Sequence, residues 1–263
     1  MIRSIPKEQA EAFPFSNDAE AITFHKMRQL MRAPDALCLS DGQDVLFVRV
    51  GLGWPAWIYT RRGVPDETLS ELAASLCVLK SAHNLAGVIG RSSLVRYLEL
   101  ALPFPTQRRL PLTAYLCEKP NRFSAEGERV HASKLDPAVC GDLLAQLGEQ
   151  AREPIPECER LAAGQRFCES AFAYGWCING TTVALLRMTQ EEDGLSYINN
   201  VVTDETQRGH GYAKALVSSV CADRHAAGNR TMLYADTSYP ASNALYRAVG
   251  FSEAGRLIGF DFI

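Results

Sequence analysis

Four consecutive residues, Arg208, Gly209, His210 and Gly211, have the types and the placement to hold an anion. Apolar residues follow at Ala213, Leu216, Val217, Val220 and Cys221, the i, i+3, i+4, i+7, i+8 stripe of a helix packed on one face. A helix that opens inside or just after R-G-H-G presents amides with no intrahelical partner and the positive end of its macrodipole at that turn. Glycines let a ligand approach such a backbone closely. With an apolar strand Y-I-N-N-V-V just upstream, the arrangement is a cradle suited to phosphate. Further on, Pro240 suits a first helical turn and Gly250 the position past a helix end, and Asn243 and Tyr246, three apart, share one face of the helix between them.

Two other readings of the glycines compete. Gly209, Gly211 and Ala215 form a loose G-x-G-x-x-x-A dinucleotide fingerprint, with Asp236 near the place of a ribose-binding acid. In a dinucleotide fold the strand runs almost directly into the first glycine, whereas here residues 203–208 intervene. The third reading is a glycine turn with a purely structural role.

Taken with Gln207 before it, R-G-H-G-Y-A reads as Arg-x-x-Gly-x-Ala and resembles the acyl-CoA signature of the GNAT N-acetyltransferase superfamily. S-N-A-L-Y-R-A-V-G-F resembles that superfamily's closing helix and strand, and the pattern resembles predicted bacterial acetyltransferases with two tandem GNAT-like halves. The resemblance is specific over 197–251, extends from about residue 129 to the C-terminus, and is weak before that. It implies that the backbone of Arg208, Gly209, His210, Gly211, Tyr212 and Ala213, with Gln207 beside it, cradles the pyrophosphate of acetyl-CoA as co-substrate. It implies that pantetheine lies along the strand carrying Val201, Val202 and Thr203, as an added strand would, and that a backbone N–H near Val201 polarises the thioester carbonyl. By the same resemblance Asn243 contacts the CoA arm and Tyr246 gives a proton to the departing thiolate; its competing role is a core aromatic beside Phe251. A phenol with a pKa of about 10 can do this only if well placed.

The elements that must position these residues follow from patterning. In the second half, 129–132 is a weak strand, 137–149 a helix and 154–166 an irregular or helical connection. The runs 172–178 and 182–188 form a hairpin across Asn179-Gly180. In the first half, N-D-A-E at 17–20 starts a helix that continues to about Arg32. Strands at 36–39, 45–50 and 56–59 follow, then a helix from Pro65 with Leu69, Leu72, Ala73, Leu76 and Leu79 on one stripe, a strand at 86–89 and a helix at 92–100. The proline-rich and basic segment 102–121 is the expected link.

The expected fold is therefore α/β (α+β), two tandem GNAT-like halves, each a mostly antiparallel twisted sheet flanked by helices. Residues 1–120 form a degenerate domain without the CoA motif, and 121–263 the acetyltransferase domain. After its strand at 56–59 the first half has R-R-G-V-P-D, and proline removes a donor where phosphate would need one. That half is expected to support the second and to shape the acceptor pocket; the competing reading is an unrelated domain.

The 263 residues are enough for two domains, and 47% apolar residues can fill two cores. A net charge of -3 argues against a nucleic-acid binder. No stretch reaches membrane-spanning length and the N-terminus lacks the apolar core of a signal peptide, so a cytoplasmic protein with no membrane or nucleic-acid partner is expected. None of the eight cysteines forms a Cys-x-x-Cys pair and the five histidines do not cluster near them, so no metal site is expected and the thiols read as reduced and mostly buried.

The expected reaction is attack of a neutral primary amine, from a small molecule or peptide, on acetyl-CoA. Glu169, Glu191 and Glu192 are candidates for the base that the resemblance calls for, none placed by sequence; one of Asn199 and Asn200 would face the acceptor pocket or order a water, the competing reading being ordinary satisfied strand polarity. A homodimer remains open. The competing functions are a catalytically silent acyl-CoA sensor and a dinucleotide-dependent oxidoreductase.

Overall fold

The computed structural model describes residues 1–263 apart from Leu52, Leu110, Arg152, Gln190, Glu191 and Glu192, with backbone alone for His83. The chain divides into two compact units, one made of Met1–Ala114, Ala235–Tyr239 and Glu253–Ile263, the other of Tyr115–Tyr234 and Pro240–Ser252. This differs from a division at 120/121: the C-terminal strand belongs with the N-terminal residues. Glu191 and Glu192, named above as candidate bases, lie outside the described residues.

The first unit opens with β1 (Arg3–Ser4), α1 (Lys7–Glu11), α2 (Asp18–Thr23) and α3 (His25–Met31). A single helix from Asn17 to Arg32 does not form. Phe24, at φ -107° and ψ 21°, breaks it, and its buried ring packs against Phe15 and Tyr59. Asn17 does cap α2, its side chain accepting from Glu20 N at 2.9 Å. Next come β2 (Leu37–Ser40), β3 (Val45–Arg49) and β4 (Ala56–Thr60), then α4 (Asp66–His83), β5 (Gly87–Gly90), α5 (Ser92–Ala101) and β6 (Thr106–Arg108). Strands β1 to β4 pair antiparallel in order, and β4 pairs parallel to β5. Leu72, Ala73, Leu76 and Leu79 of the α4 stripe enter a core with Val45, Phe47, Ile58, Val88 and Leu98.

Segment 102–121 is not a plain link, since it carries β6 and β7 (Leu112–Cys117). Its prolines flank these short strands rather than interrupting them, as strand geometry requires.

The second unit contains β8 (Glu128–His131), α6 (Pro137–Ala151), α7 (Glu157–Cys168), β9 (Ala173–Ile178), β10 (Thr181–Met188), β11 (Leu195–Thr203), α8 (Tyr212–Ala226), β12 (Arg230–Asp236, in this unit as far as Tyr234) and α9 (Pro240–Val249). Strands β8 to β11 form an antiparallel meander, and β12 lies parallel to β11. The hairpin between β9 and β10 turns at Asn179 and Gly180, with φ 49° and 80°, as a type I′ turn demands. Where a helical or irregular connection was expected, α7 packs on α6 through Gly141 and Gly164. A Cβ on Gly164 would stand 1.8 Å from Pro137 O, and one on Gly141 would stand 2.3 Å from Arg160 O. The helices approach as closely as glycine allows.

The closing strand β13 (Ser252–Phe262) joins the first unit from Glu253 onward, pairing antiparallel with β5 and β6.

Two measurements test this packing. Gly164→Ala should force α6 and α7 apart and destabilise the protein by about 1–3 kcal/mol, read as a fall in thermal midpoint; an unchanged midpoint would mean that the close approach is not real. Burial pushes the Glu20 carboxyl up, but the Tyr59 hydroxyl and the Arg91 guanidinium outweigh it and hold the group below its ordinary value. A depressed carboxyl contributes stability above its unfolded pKa of about 4.3 and loses it as pH falls toward the folded value. Glu20→Gln should therefore lower stability at neutral pH and narrow its gap to wild type in acid, as measured by urea unfolding at several pH values; a gap independent of pH would refute the assignment.

Candidate active site

The geometry of the second unit begins with a parting of strands. β11 pairs with β12 only from Leu195↔Arg230 to Ile198↔Leu233, whereas its pairing with β10 continues to Ala184↔Thr203. The register with β10 shifts at Arg187/Met188, which leaves Asn199 as the extra residue of a bulge. A bulge bends its strand and increases its twist, and it stands where β11 leaves β12.

Beyond the bulge, the direction of each backbone group follows from one hydrogen bond. Asp204 N donates to Val183 O at 2.9 Å. Hydrogen-bonded and non-hydrogen-bonded positions alternate along an antiparallel pair, so Val202 turns its amide toward β10, and Val201 and Thr203 turn theirs to the opposite edge. Arg208 Nε donates to Thr203 O at 3.4 Å, in agreement with that direction. Val202 is buried in the core with Leu143, Phe167 and Leu185, while Val201 and Thr203 are half-buried.

A short 3-10 turn, Glu205–Gln207, carries the chain to the glycines. Asp204 closes it by accepting from Thr206 N and Oγ1 at 2.8 and 2.7 Å. Gly209 and Gly211 have φ of 86° and 84°, a left-handed conformation that side chains resist. A Cβ at either would meet nothing within 4 Å, so the turn faces open space rather than protein. Gly211 is the N-cap of α8 and offers no side-chain acceptor. The first helical bond runs from Ala215 N to Gly211 O at 2.9 Å, so the amides of Tyr212, Ala213 and Lys214 precede the ladder. His210 stacks on the buried Tyr212 at 5.5 Å and 12°, and its Nδ1 lies 3.2 Å from Gln207 O. The cationic side chain of Arg208 pairs with Glu205 at 3.2 Å, both side chains being exposed, so the fixed donors of the cradle are backbone amides and Arg208 stands beside them as an exposed charge.

Helix α9 packs on α8 and buries both of its singled-out residues. Asn243 Oδ1 accepts from Tyr115 Oη at 2.9 Å. The Tyr246 ring lies 6.2 Å from that of Tyr115 and 5.8 Å from that of Phe251, the latter edge-on. Burial raises the Tyr246 phenol well above its ordinary value and keeps it protonated at neutral pH. The structure thus gives Tyr246 the aromatic packing of a core residue and the protonation state of a donor together. Asn121 closes the end of α9, donating from N to Val249 O at 2.7 Å and from Nδ2 to Ala248 O at 2.9 Å. Its carbonyl accepts from Ser218 Oγ of α8 at 2.8 Å.

The remaining polar candidates are spread over the unit. Asn199 is exposed and accepts from Arg187 Nε at 3.4 Å; Asn200 is half-buried. Tyr197 is pushed up to about 12 by burial, with Arg187 acting against the shift, and its ring lies 5.6 Å from Tyr234. Glu169 is an exposed residue at the end of α7. Sequence reading missed Tyr115, which orients Asn243, because it fell in the supposed link; its place in an apolar run, L-T-A-Y-L-C, was the available signal. All eight cysteines are free thiols, five of them buried. Among the described residues, no group of three or more His, Cys, Asp or Glu side chains could hold a metal ion, and no helix is long and apolar enough to cross a membrane.

A sequence model of the acetyltransferase (GNAT) family matches residues 142–251, which include β9 to β11, the glycine turn and α9. No curated protein sequence matches the chain. Solved structures match it over nearly its whole length: an acetyltransferase from the GNAT family of Colwellia psychrerythraea at 14% identity and TM-score 0.59, with each chain covered completely; a GCN5-related N-acetyltransferase from Sphaerobacter thermophilus at 16% and 0.66, covering 99% of this chain and 94% of that one; and a tandem GNAT protein from the clavulanic acid biosynthesis pathway at 11% and 0.55, covering 99% and 97%. At such identities the likeness is one of fold.

Tyr115→Phe should cost about 1 kcal/mol by removing the bond to Asn243, measured by denaturant unfolding; wild-type stability would mean that Asn243 is held by other means. The match to the acetyltransferase (GNAT) family lies in one stretch of the chain, residues 142–251, and the solved structures add a likeness of fold.

Proposed function

We propose that the protein is an acyl-CoA-dependent N-acetyltransferase that moves an acetyl group from acetyl-CoA to a primary amine of a small molecule or peptide. The supporting observation is the pairing of two backbone features in one unit: the outward amides of Val201 and Thr203 where β11 has left β12, and the open glycine turn at the start of α8.

The residues fit the co-substrate in kind. Tyr212, Ala213 and Lys214 amides at a helix start, with Gly209 and Gly211 lacking side chains, suit a diphosphate. An extended arm bearing amides suits the free edge of β11, where main-chain pairing needs no particular side chain. In the reaction the amine nitrogen forms the new bond to the acyl carbon, the carbon–sulfur bond breaks, and the proton lost by the amine is balanced by one gained at sulfur. Val201 N–H is the donor for the carbonyl oxygen, and such a fixed amide is already oriented when charge develops. Tyr246, held neutral by burial, is the proposed source of the proton for sulfur. Asn243, fixed by Tyr115, is the proposed contact to the arm beside it.

Acetyl-CoA should raise the melting temperature, and Gly211→Asp should abolish the rise, because the new carboxylate would occupy the same amides and repel phosphate. An equal rise in the variant would remove the cradle from consideration. Tyr246→Phe should leave acetyl-CoA binding intact and lower thiol release on the order of 10²-fold across a panel of primary amines. Full turnover in that variant would make Tyr246 a packing residue, and binding without thiol release for any amine would favour an acyl-CoA sensor.

A further inference from the structure

The first unit contains a second place with the chemistry to hold an anion. A pocket of ≈ 360 Å³ is lined by Glu20, Arg62, Arg91, Ser92, Ser93 and Arg256, with small residues of α2 and β13 completing its wall. Gly255 lets β13 pass against α2, since a Cβ there would lie 2.2 Å from Thr23 Oγ1.

The lining is cationic in excess. Arg62 and Arg91 share Glu20, with Nε of Arg62 at 3.9 Å and Nη2 of Arg91 at 2.5 Å from the same Oε1. Arg256 pairs with Glu253 outside the lining, at 2.6 Å. Arg91 is the fixed member: its guanidinium lies 5.5 Å from the Phe24 ring and 5.6 Å from the Tyr59 ring, and its Nε has no hydrogen-bond partner. Tyr59 Oη in turn donates to Glu20 Oε2 at 2.7 Å, so acid and base are both held in place. Arg62, 85% exposed at its side chain, is the solvent-facing complement in the same lining.

The remaining donors come from the start of α5. Val95 N donates to Arg91 O at 3.0 Å as the first helical bond, which leaves the amides of Ser92, Ser93 and Leu94 ahead of the ladder. Arg91 as N-cap gives them no side-chain acceptor. The hydroxyls of Ser92 and Ser93 make no hydrogen bond within the described residues. Two hydroxyls, a short run of amides and guanidiniums on several sides present donors in three dimensions, a set that suits a tetrahedral oxyanion better than a planar carboxylate.

We propose that this pocket binds the phosphate of a small phosphomonoester, making the first unit a ligand-binding module in its own right. The site is separate from the glycine turn of α8 and does not depend on the function proposed for that turn. Its volume is that of a site for a compact metabolite.

The test is calorimetric titration with inorganic phosphate, glycerol 3-phosphate and acetate, carried out on the full chain bearing Gly211→Asp so that α8 does not contribute. Saturable binding of phosphate and glycerol 3-phosphate, weaker binding of acetate, and a loss of about tenfold or more in affinity when Arg62→Glu is added would support the site. The Arg62 side chain is exposed, so its replacement should leave folding intact, with circular dichroism as the check; Ser93→Ala, expected to weaken phosphate binding severalfold, is the second variant. Absence of saturable phosphate binding, equal affinity with and without Arg62→Glu and Ser93→Ala, or tighter binding of acetate than of phosphate would each overturn the proposal.

Discussion

The second unit depends on a helix that begins without a cap. At Gly211 the chain enters α8 from a left-handed conformation and supplies no side-chain oxygen to the first amides that follow. Exposed N-terminal amides are ordinarily satisfied by a serine, threonine or aspartate side chain, and forgoing that bond leaves a concentration of donors and positive dipole at the surface. The rest of the unit holds this feature in place: the buried stripe Leu216, Val217, Val220 and Cys221 anchors α8, and Asn121 and Ser218 tie the helix to the end of α9.

Strand β11 meets a related constraint. A parallel neighbour along its whole length would have consumed the amides of Val201 and Thr203. Instead the bulge at Asn199 turns the strand away from β12 while β10 keeps it in register. Helix N-terminus and free strand edge are then consecutive in the chain, joined by a turn that Asp204 closes upon itself. An extended acyl donor with a charged end requires just this succession of partners.

The two units manage polar groups differently. In the second, the candidate site is built of main chain, with Arg208 paired to the nearby Glu205 at the surface. In the first, side chains dominate: Arg91 lies over two mutually packed aromatic rings beside a buried carboxylate, an arrangement in which removing either charge would strand the other. Gly90 also keeps β4 and β5 close, since a Cβ there would stand 2.9 Å from Ile58 O. The resulting chemistry is that of a side-chain pocket at the start of α5 rather than a backbone channel between parted strands.

Much of this was legible in the residues themselves. The helical stripe after R-G-H-G, the Asn179-Gly180 hairpin and the α4 stripe are local patterns with one periodic solution each, and all three form as their spacing dictates. The break at Phe24 was hidden, because a stacked aromatic cluster overrides the continuity of a helical pattern and only the partners of that cluster, Phe15 and Tyr59, reveal it. The strands in 102–121 were hidden by their prolines, and β13 by its assignment to the residues nearest in sequence rather than to those it pairs with. Sequence alone determined where the backbone would bare its amides, since glycine and helix start are local properties. Tertiary structure decided which strand edge is left free and that Arg62, Arg91 and Arg256 converge, because these depend on contacts between residues far apart in the chain.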